Sequence, residues 1–445
     1  MFWKNLLLKV SGLLLLSAGL LAMSCGGGGS SSNPPSGGSG TYVVLAWNDL
    51  GMHCLNPSYD QAVILPPYNT VWAQVIRRGN PPQVVSSGVT VSYSLVGNTT
   101  SANKRSYGQF WTNCFDLFGQ TLALDTGLNL EDPTIHNGLA GDMVLKGDHY
   151  QVNGIPVTPV NDAGVWNPYQ VALITVKDGS GNVLAQTRAT VPTSDEINCA
   201  KCHDDNVNPL VDVLEKHDAS HAGLNLVGSA PVLCAECHGS PALGTSGAGS
   251  SGKYLSQAIH GFHASKGAAC YDCHPGTTTQ CNRSLPHTAS DGNCTSCHGD
   301  MTNMASSIEG GRVPWASEPK CATCHNATTT IPEVDTGMTL YRNARGHGGV
   351  ACAACHGSPH AMVPSREASD NYQMNQYMGA LGASDPLHSM GSCGVCHSSS
   401  KPHSASDFVE EHGSERSSAC SVCHTGFSDA RNASKWPHAF QWKSR

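Results

Sequence analysis

Eight times between Cys199 and His424 the chain reads Cys-x-x-Cys-His. The cysteine pairs are Cys199/Cys202, Cys234/Cys237, Cys270/Cys273, Cys294/Cys297, Cys321/Cys324, Cys352/Cys355, Cys393/Cys396 and Cys420/Cys423. The histidines that follow them are His203, His238, His274, His298, His325, His356, His397 and His424. Sixteen of the 20 cysteines are used in this one unit. Two thiols at this spacing can add across the two vinyl groups of one porphyrin, forming thioethers. The adjacent histidine is then held under the iron as its proximal ligand. The pattern therefore predicts eight covalently attached c-type haems. Zinc ribbons also pair Cys-x-x-Cys units, and the gap from Cys273 to Cys294 suits one, but zinc makes no demand on the residue after the second cysteine. A redox dithiol explains one or two such motifs. A disulfide scaffold has no reason to repeat a uniform unit.

An iron so attached needs a second axial ligand or keeps an open position, and that choice separates a wire from an enzyme. Eleven further histidines beyond residue 193 are candidates for the opposite face: His217, His221, His260, His263, His287, His347, His360, His388, His403, His412 and His438. Supply exceeds the eight required, so bis-His ligation is expected for most irons. No spare histidine lies between Cys294 and Cys324, so at least one ligand must arrive from a distant segment. His360 follows His356 by four residues. On a helix both would share a face, so His360 is expected to serve an adjacent haem or a propionate. Met301, Met304, Met362 and Met390 are alternatives, better read as packing residues.

The elements that must position these groups divide near residue 193. Leu, Ile, Val and Phe make up 41 of the 152 residues from Thr41 to Pro192, but only 31 of the 253 from Thr193 to Arg445. The latter proportion is too low for a core built from side chains, so the second part is expected to fold around its cofactors, with short helical turns and Gly/Ser/Pro loops. The first part reads as β-rich. Val89, Val91, Tyr93 and Leu95 alternate with polar residues. Val171–Val176 and Val183–Val191 flank a Gly-containing turn, which reads as a hairpin. Thr41–Trp47 and Thr70–Ile76 are further strands. No helical periodicity of useful length is evident. The expected fold is thus an N-terminal all-β, sandwich-like domain (residues 41–192), followed by a haem-cored multihaem cytochrome region (residues 193–445) with short helices and long loops. Cys54 and Cys114 are a candidate disulfide, which leaves Cys281 odd. Asn48–Cys54 gathers polar and ligand-type residues, yet His53, like His136 and His149, is read as structural.

Lys4 and Lys9 precede an apolar run, Leu13–Ala22, of signal-peptide length. It ends at Ala22-Met23-Ser24-Cys25, which resembles a lipoprotein cleavage site although Leu is usual where Ala22 stands. Residues 1–24 then form the signal peptide, Cys25 the lipidated residue, and the Gly/Ser-rich residues 25–40 a flexible tether. Removing residues 1–24 takes two lysines from a chain of net charge −8 and leaves −10. No basic block points to nucleic acid.

With eight complete motifs and phrases such as Ala353-Ala354-Cys355-His356-Gly357-Ser358-Pro359-His360, residues 193–445 resemble the multihaem c-type cytochromes of metal-respiring bacteria. The leading β-domain is similar to the non-haem modules of outer-surface members. The resemblance implies electron transfer at the outer membrane or outside the cell, with the histidine of each motif as proximal ligand. It also implies other redox proteins as partners, a mineral or shuttle as acceptor, and a surface-facing lipoprotein, the periplasmic side being the alternative. Two other readings stay open. One is an octahaem reductase of a small nitrogen or sulfur oxyanion, although such enzymes usually carry one atypical haem motif and none occurs here. The other is a subunit of an extracellular cytochrome filament, or a smaller homo-oligomer.

Overall fold

The computed structural model describes residues 40–197, 199–203, 208–276, 278–287, 294–319, 340–378 and 393–398, with short backbone pairs at 424–425 and 441–442. Two five-stranded sheets form its N-terminal part. The first joins β1 (Tyr42–Trp47), β4 (Thr70–Arg77), β9 (His149–Asn153) and β8 (Val144–Lys146), with β5 (Gln83–Val84) also on β4. The second runs β2 (His53–Cys54), β11 (Val183–Ser194), β10 (Tyr169–Asp178), β6 (Val89–Leu95) and β7 (Ala140–Asp142). All pairings in these two sheets are antiparallel except that of β2 with β11. A short strand between them in sequence, β3 (Ala62–Val63), pairs in parallel with Val232–Leu233 of the later part.

The alternation in the sequence sets which side chains meet between the sheets. Val91, Tyr93, Ala172, Ile174 and Val176 point inward from the second sheet, against Val44, Ala46, Val71, Ala73 and Val75 of the first. At the β10–β11 turn, Asp178 Oδ1 accepts the Ser180 and Asn182 amides at 2.8 and 2.9 Å, and Gly181 takes the positive φ of +86° that the reversal needs.

β1 is buried on both faces, which is why it reads as an unbroken apolar run. Val43, Leu45 and Trp47 leave the sheet on the side away from that core and pack on Ala351, Ala353, Ala354 and Val395. Its free edge is also covered. The Ala46 amide donates to Gln373 Oε1 at 2.8 Å, and Tyr377 OH donates to the Val44 carbonyl at 2.8 Å. The helix Tyr372–Met378 that carries these residues also lies over β11. The described residues belong to one compact unit.

One element departs from the expectation of a helix-free first part. α1 (Gly108–Phe118) buries Phe110, Trp111, Cys114 and Leu117, whose spacing marks one face of a helix. Gly119 ends it in the left-handed region at φ +67° and donates to the Phe115 carbonyl. The expected disulfide is not formed. Cys54 and Cys114 are both free thiols. α1 turns Cys114 into an apolar cluster with Tyr59, Phe110 and Leu117, where burial pushes its thiol up to about 12. The odd cysteine, Cys281, is the thiol set beside Cys54: burial, and next the Cys54 thiol, hold it well above its ordinary value.

Beyond Ser194 the described elements are short. They include α2 (Pro209–Ser220), α3 (Leu255–Ala264), α4 (Cys270–Cys273), α5 (Cys294–His298), α6 (Met301–Glu309) and the helix Cys352–His356. Asn208 caps α2 by accepting the Leu210 amide at 3.0 Å, with Pro209 at the first helical position. Among the described residues no helix is long and apolar enough to cross a membrane. Cys25 and the leader lie outside the described residues.

Candidate haem-ligand pairs

Six motifs have their cysteines within the described residues, and in each the first cysteine opens a short helical turn. Cys199–Lys201, Cys234–Glu236 and Cys393–Val395 are single 3-10 turns; Cys270–Cys273, Cys294–His298 and Cys352–His356 are single α turns. Such a turn brings both cysteines of a motif to one side of the backbone. Cys321, Cys324, His325, Cys420, Cys423, His388, His403, His412 and His438 lie outside the described residues.

In three motifs the two thiols stand at unequal depth. Cys199, Cys234 and Cys294 are half-buried, whereas Cys202, Cys237 and Cys297 are exposed. Cys202 and Cys237 lie at the surface of the chain. Thioether formation needs a reachable thiol, so surface placement of Cys202 and Cys237 is compatible with attachment.

Four motif histidines each face a second histidine across a gap. The ring centroids are 6.4 Å apart for His203 and His263, 6.3 Å for His238 and His217, 6.0 Å for His274 and His260, and 6.1 Å for His298 and His360. A metal–imidazole bond is about 2 Å and the ring centre lies about 1.1 Å behind the bonding nitrogen, so two imidazoles on opposite faces of one metal ion have centroids about 6.2 Å apart. All four pairs match that separation. Each joins one histidine of a Cys-x-x-Cys-His unit to one outside any unit.

Five of the eight rings have their Nδ1 engaged. Nδ1–H of His260 donates to the Ser256 carbonyl at 2.7 Å, that of His263 to the Ile259 carbonyl at 2.8 Å, and that of His360 to the Leu50 carbonyl at 3.1 Å. His203 Nδ1 lies 2.7 Å from Asp212 Oδ2, and His238 Nδ1 lies 2.8 Å from Ser251 Oγ. A carbonyl can only accept, so His260, His263 and His360 carry the proton on Nδ1 and leave the Nε2 lone pair for a metal. Imidazoles that ligate metals are oriented in this way. His217, by contrast, has its Nδ1 buried and without a hydrogen-bond partner. Burial pushes His274 and His360 down to about 4, in both cases with help from neighbouring histidines. Both stay neutral, as a ligand must be.

This donor set fits haem. Among the described residues no three His, Cys, Asp or Glu side chains converge as a zinc site requires. Instead the imidazoles come as opposed pairs, each with one member in a Cys-x-x-Cys-His unit. Those cysteines are themselves neighbours. Burial and the adjacent Cys273 thiol push Cys199 up to about 11, Cys234 is pushed up to about 11 by burial with Cys199 close by, and Cys355 reaches about 12 through burial with Cys396 nearby. A salt bridge from Lys201 to Asp272 ties the first motif to the third.

Of the remaining candidates, His221 stacks on His217 with centroids 4.6 Å apart, and His287 Nδ1 lies 3.4 Å from Ser284 Oγ. Asp212 and the Leu50 carbonyl are not foreseeable from spacing, because each reaches its histidine only through the fold. His53 is accounted for by Asp49, whose Oδ1 is 3.0 Å from His53 Nε2. Burial would raise the Asp49 carboxyl, but hydrogen bonds from His53 and Thr70 outweigh it and leave the group below its usual value.

The stability that Asp49 contributes is therefore present above the unfolded carboxylate value of about 3.9 and is lost as pH falls through the lower folded value. Protection factors of the Leu50 and Gly51 amides, taken relative to intrinsic exchange at each pH, should stay flat from pH 7 down to about 4 and fall only below it. Asp49→Asn should abolish that acid onset. A loss of protection already between pH 7 and 5 would contradict the assignment.

No protein-family model matches the chain, and no curated protein matches it. Among solved structures it is similar to the crystal structure of MtrC from Shewanella baltica OS185, at 15% identity and a TM-score of 0.15, covering 64% of this chain. The match spans 44% of the length of that protein. A score so low carries no argument about fold or activity.

Proposed function

We propose that this chain is an electron-transfer protein carrying eight covalently attached c-type haems, most of them bis-His. One observation carries the reading: four motif histidines face four others at the spacing of two axial ligands on one iron. When bound, each haem supplies one-electron iron chemistry. The chain does the rest. Cysteine pairs would hold each haem covalently, paired imidazoles would ligate its iron, and Nδ1 hydrogen bonds orient the rings that bear them.

The crowding of the first three attachment sites, and of Cys355 with Cys396, supports passage between neighbouring haems. So does α3, on which His260 and His263 lie three residues apart and face the third and first motifs respectively. In this reading other redox proteins are the partners, a mineral or soluble shuttle is the acceptor, and a lipid on Cys25 anchors the protein to the outer membrane with its body toward the cell surface.

Intact mass and ferrous spectra of the secreted holoprotein test this. Eight haems per chain, low-spin in both redox states and inert to carbon monoxide, are expected. A chain without haem, or with zinc at the cysteines, overturns the reading. A carbon-monoxide-binding high-spin fraction would instead favour a reductase of a small oxyanion.

A further inference from the structure

The Asn48–Gly51 turn of the β-sheet unit is gripped from both sides. Asn48 is 1% exposed. Its Oδ1 accepts the Leu50 and Gly51 amides at 3.1 and 2.7 Å, and its Nδ2 donates to Asn69 Oδ1 and the Thr70 carbonyl at 2.6 and 2.8 Å. The turn is thereby pinned to β4. On its outer side it meets the segment after the sixth motif. Ser358 Oγ donates to the Asn48 carbonyl at 2.7 Å. Gly51, at φ +83°, comes so close that a Cβ there would lie 3.0 Å from the His360 amide nitrogen and 3.1 Å from Ser358 Cβ. Arg283 closes the cage: its Nη1 donates to the Gly51 carbonyl and its backbone amide to the His360 carbonyl, both at 2.8 Å.

Inside this cage His360 gives its Nδ1–H to Leu50 and turns its ring to His298. We propose that the β-sheet unit is a working part of the haem assembly: through the Leu50 carbonyl it orients His360 as the sixth ligand of the haem held by Cys294 and Cys297. The assignment rests on the haem reading above and goes beyond it. It gives a backbone carbonyl of the non-haem part control of one particular iron. It also ties the segment of the sixth motif to the haem of the fourth, whose own interval holds no spare histidine. The hydrogen bond strengthens the imidazole as a donor and so lowers the potential of that haem relative to one with an unsupported ligand.

The test uses full-length holoprotein, with haem methyl resonances of the ferric form and stepwise redox titration as readouts. His360→Met should convert one haem, and only one, to His/Met ligation, with a raised potential and one shifted set of methyl resonances. Cys297→Ala, which leaves that haem on a single thioether, should shift the same set. Gly51→Ala, which forces the turn off His360, should shift that set again with the haem count unchanged. Should Gly51→Ala fail to accumulate, Ser358→Ala loosens the same contact. A purely structural turn would leave the resonances of all haems in place. Eight haems by mass with a spectrally silent His360→Met overturn this assignment alone. So does a result in which His360→Met and Cys297→Ala move different sets. A wild-type chain without haem overturns it together with the reading beneath it.

Discussion

Arg283→Met is expected to destabilise the folded protein by about 3–5 kcal/mol, the usual cost of removing one partner from a buried ion pair. Arg283 is 1% exposed. Its Nε and Nη2 donate to the two Asp370 carboxylate oxygens at 2.8 and 3.1 Å, and its guanidinium lies 5.0 Å from the centre of the Tyr169 ring. The substitution keeps the bulk of the side chain but strands the Asp370 carboxylate, itself 5% exposed. It also removes the donor to the Gly51 carbonyl. Tyr169 and Gly51 belong to the β-sheet part and Asp370 to the part beyond it, so the damage falls on the joint between them. Urea unfolding followed by circular dichroism measures the loss, and limited proteolysis locates it. Arg283→Met combined with Asp370→Leu should recover most of the stability, because no unpaired charge then remains. A shift below about 1 kcal/mol for the single variant would show that the pair does not hold the joint.

The second large effect concerns the haem-free chain. Made in a host that cannot attach haem, the protein should lose all protease resistance beyond about Ser194 while a fragment containing residues 41–194 survives. The N-terminal part has a core of its own, with Val44, Val71, Val91, Ile174 and Val191 closed between two sheets. Among the described residues beyond Ser194, the buried apolar side chains are few: Leu210, Leu214, Leu255, Ile308, Val363, Met374 and Val395, with a set of alanines. That much side-chain burial cannot offset the backbone entropy of so long a segment. A compact, resistant fragment from the region beyond Ser194 of the haem-free chain would sink this expectation. The surviving fragment should also be prone to association, since loss of its cover bares Val43, Leu45 and Trp47 on the outer face of β1.

Much of the architecture is written in local pattern. The period-two alternation at Val89–Leu95 is strand β6, and the two runs around Asp178–Asn182 are strands β10 and β11 of a hairpin. α1 escapes such a reading although Phe110, Trp111, Cys114 and Leu117 announce it; eleven residues with no acidic first turn and no basic last turn make a weak helix signal. Pairing Cys54 with Cys114 fails for a different reason. Which thiols meet depends on where β2, β11 and the loop carrying Cys281 come together, and no spacing encodes that. Nor does spacing tell that Cys202 and Cys237 stay at the surface while Cys199 and Cys234 turn inward.

The attachment chemistry is confined to five consecutive residues. Covalent geometry alone sets it, so in the haem reading the motif names each attachment point and its proximal histidine without help from the fold. The opposite ligand is a different problem. His260 and His263 are three residues apart yet face different motifs. His217 faces a motif downstream of itself, and His360 faces one that lies two motifs upstream. Those partners come from the tertiary fold. An imidazole reaches its place through the helix or turn that carries it, and those elements are set by non-local contacts: the Lys201–Asp272 bridge, the packing of α3 on α6, and the hydrogen bond from His360 to the carbonyl of Leu50 in the β-sheet part.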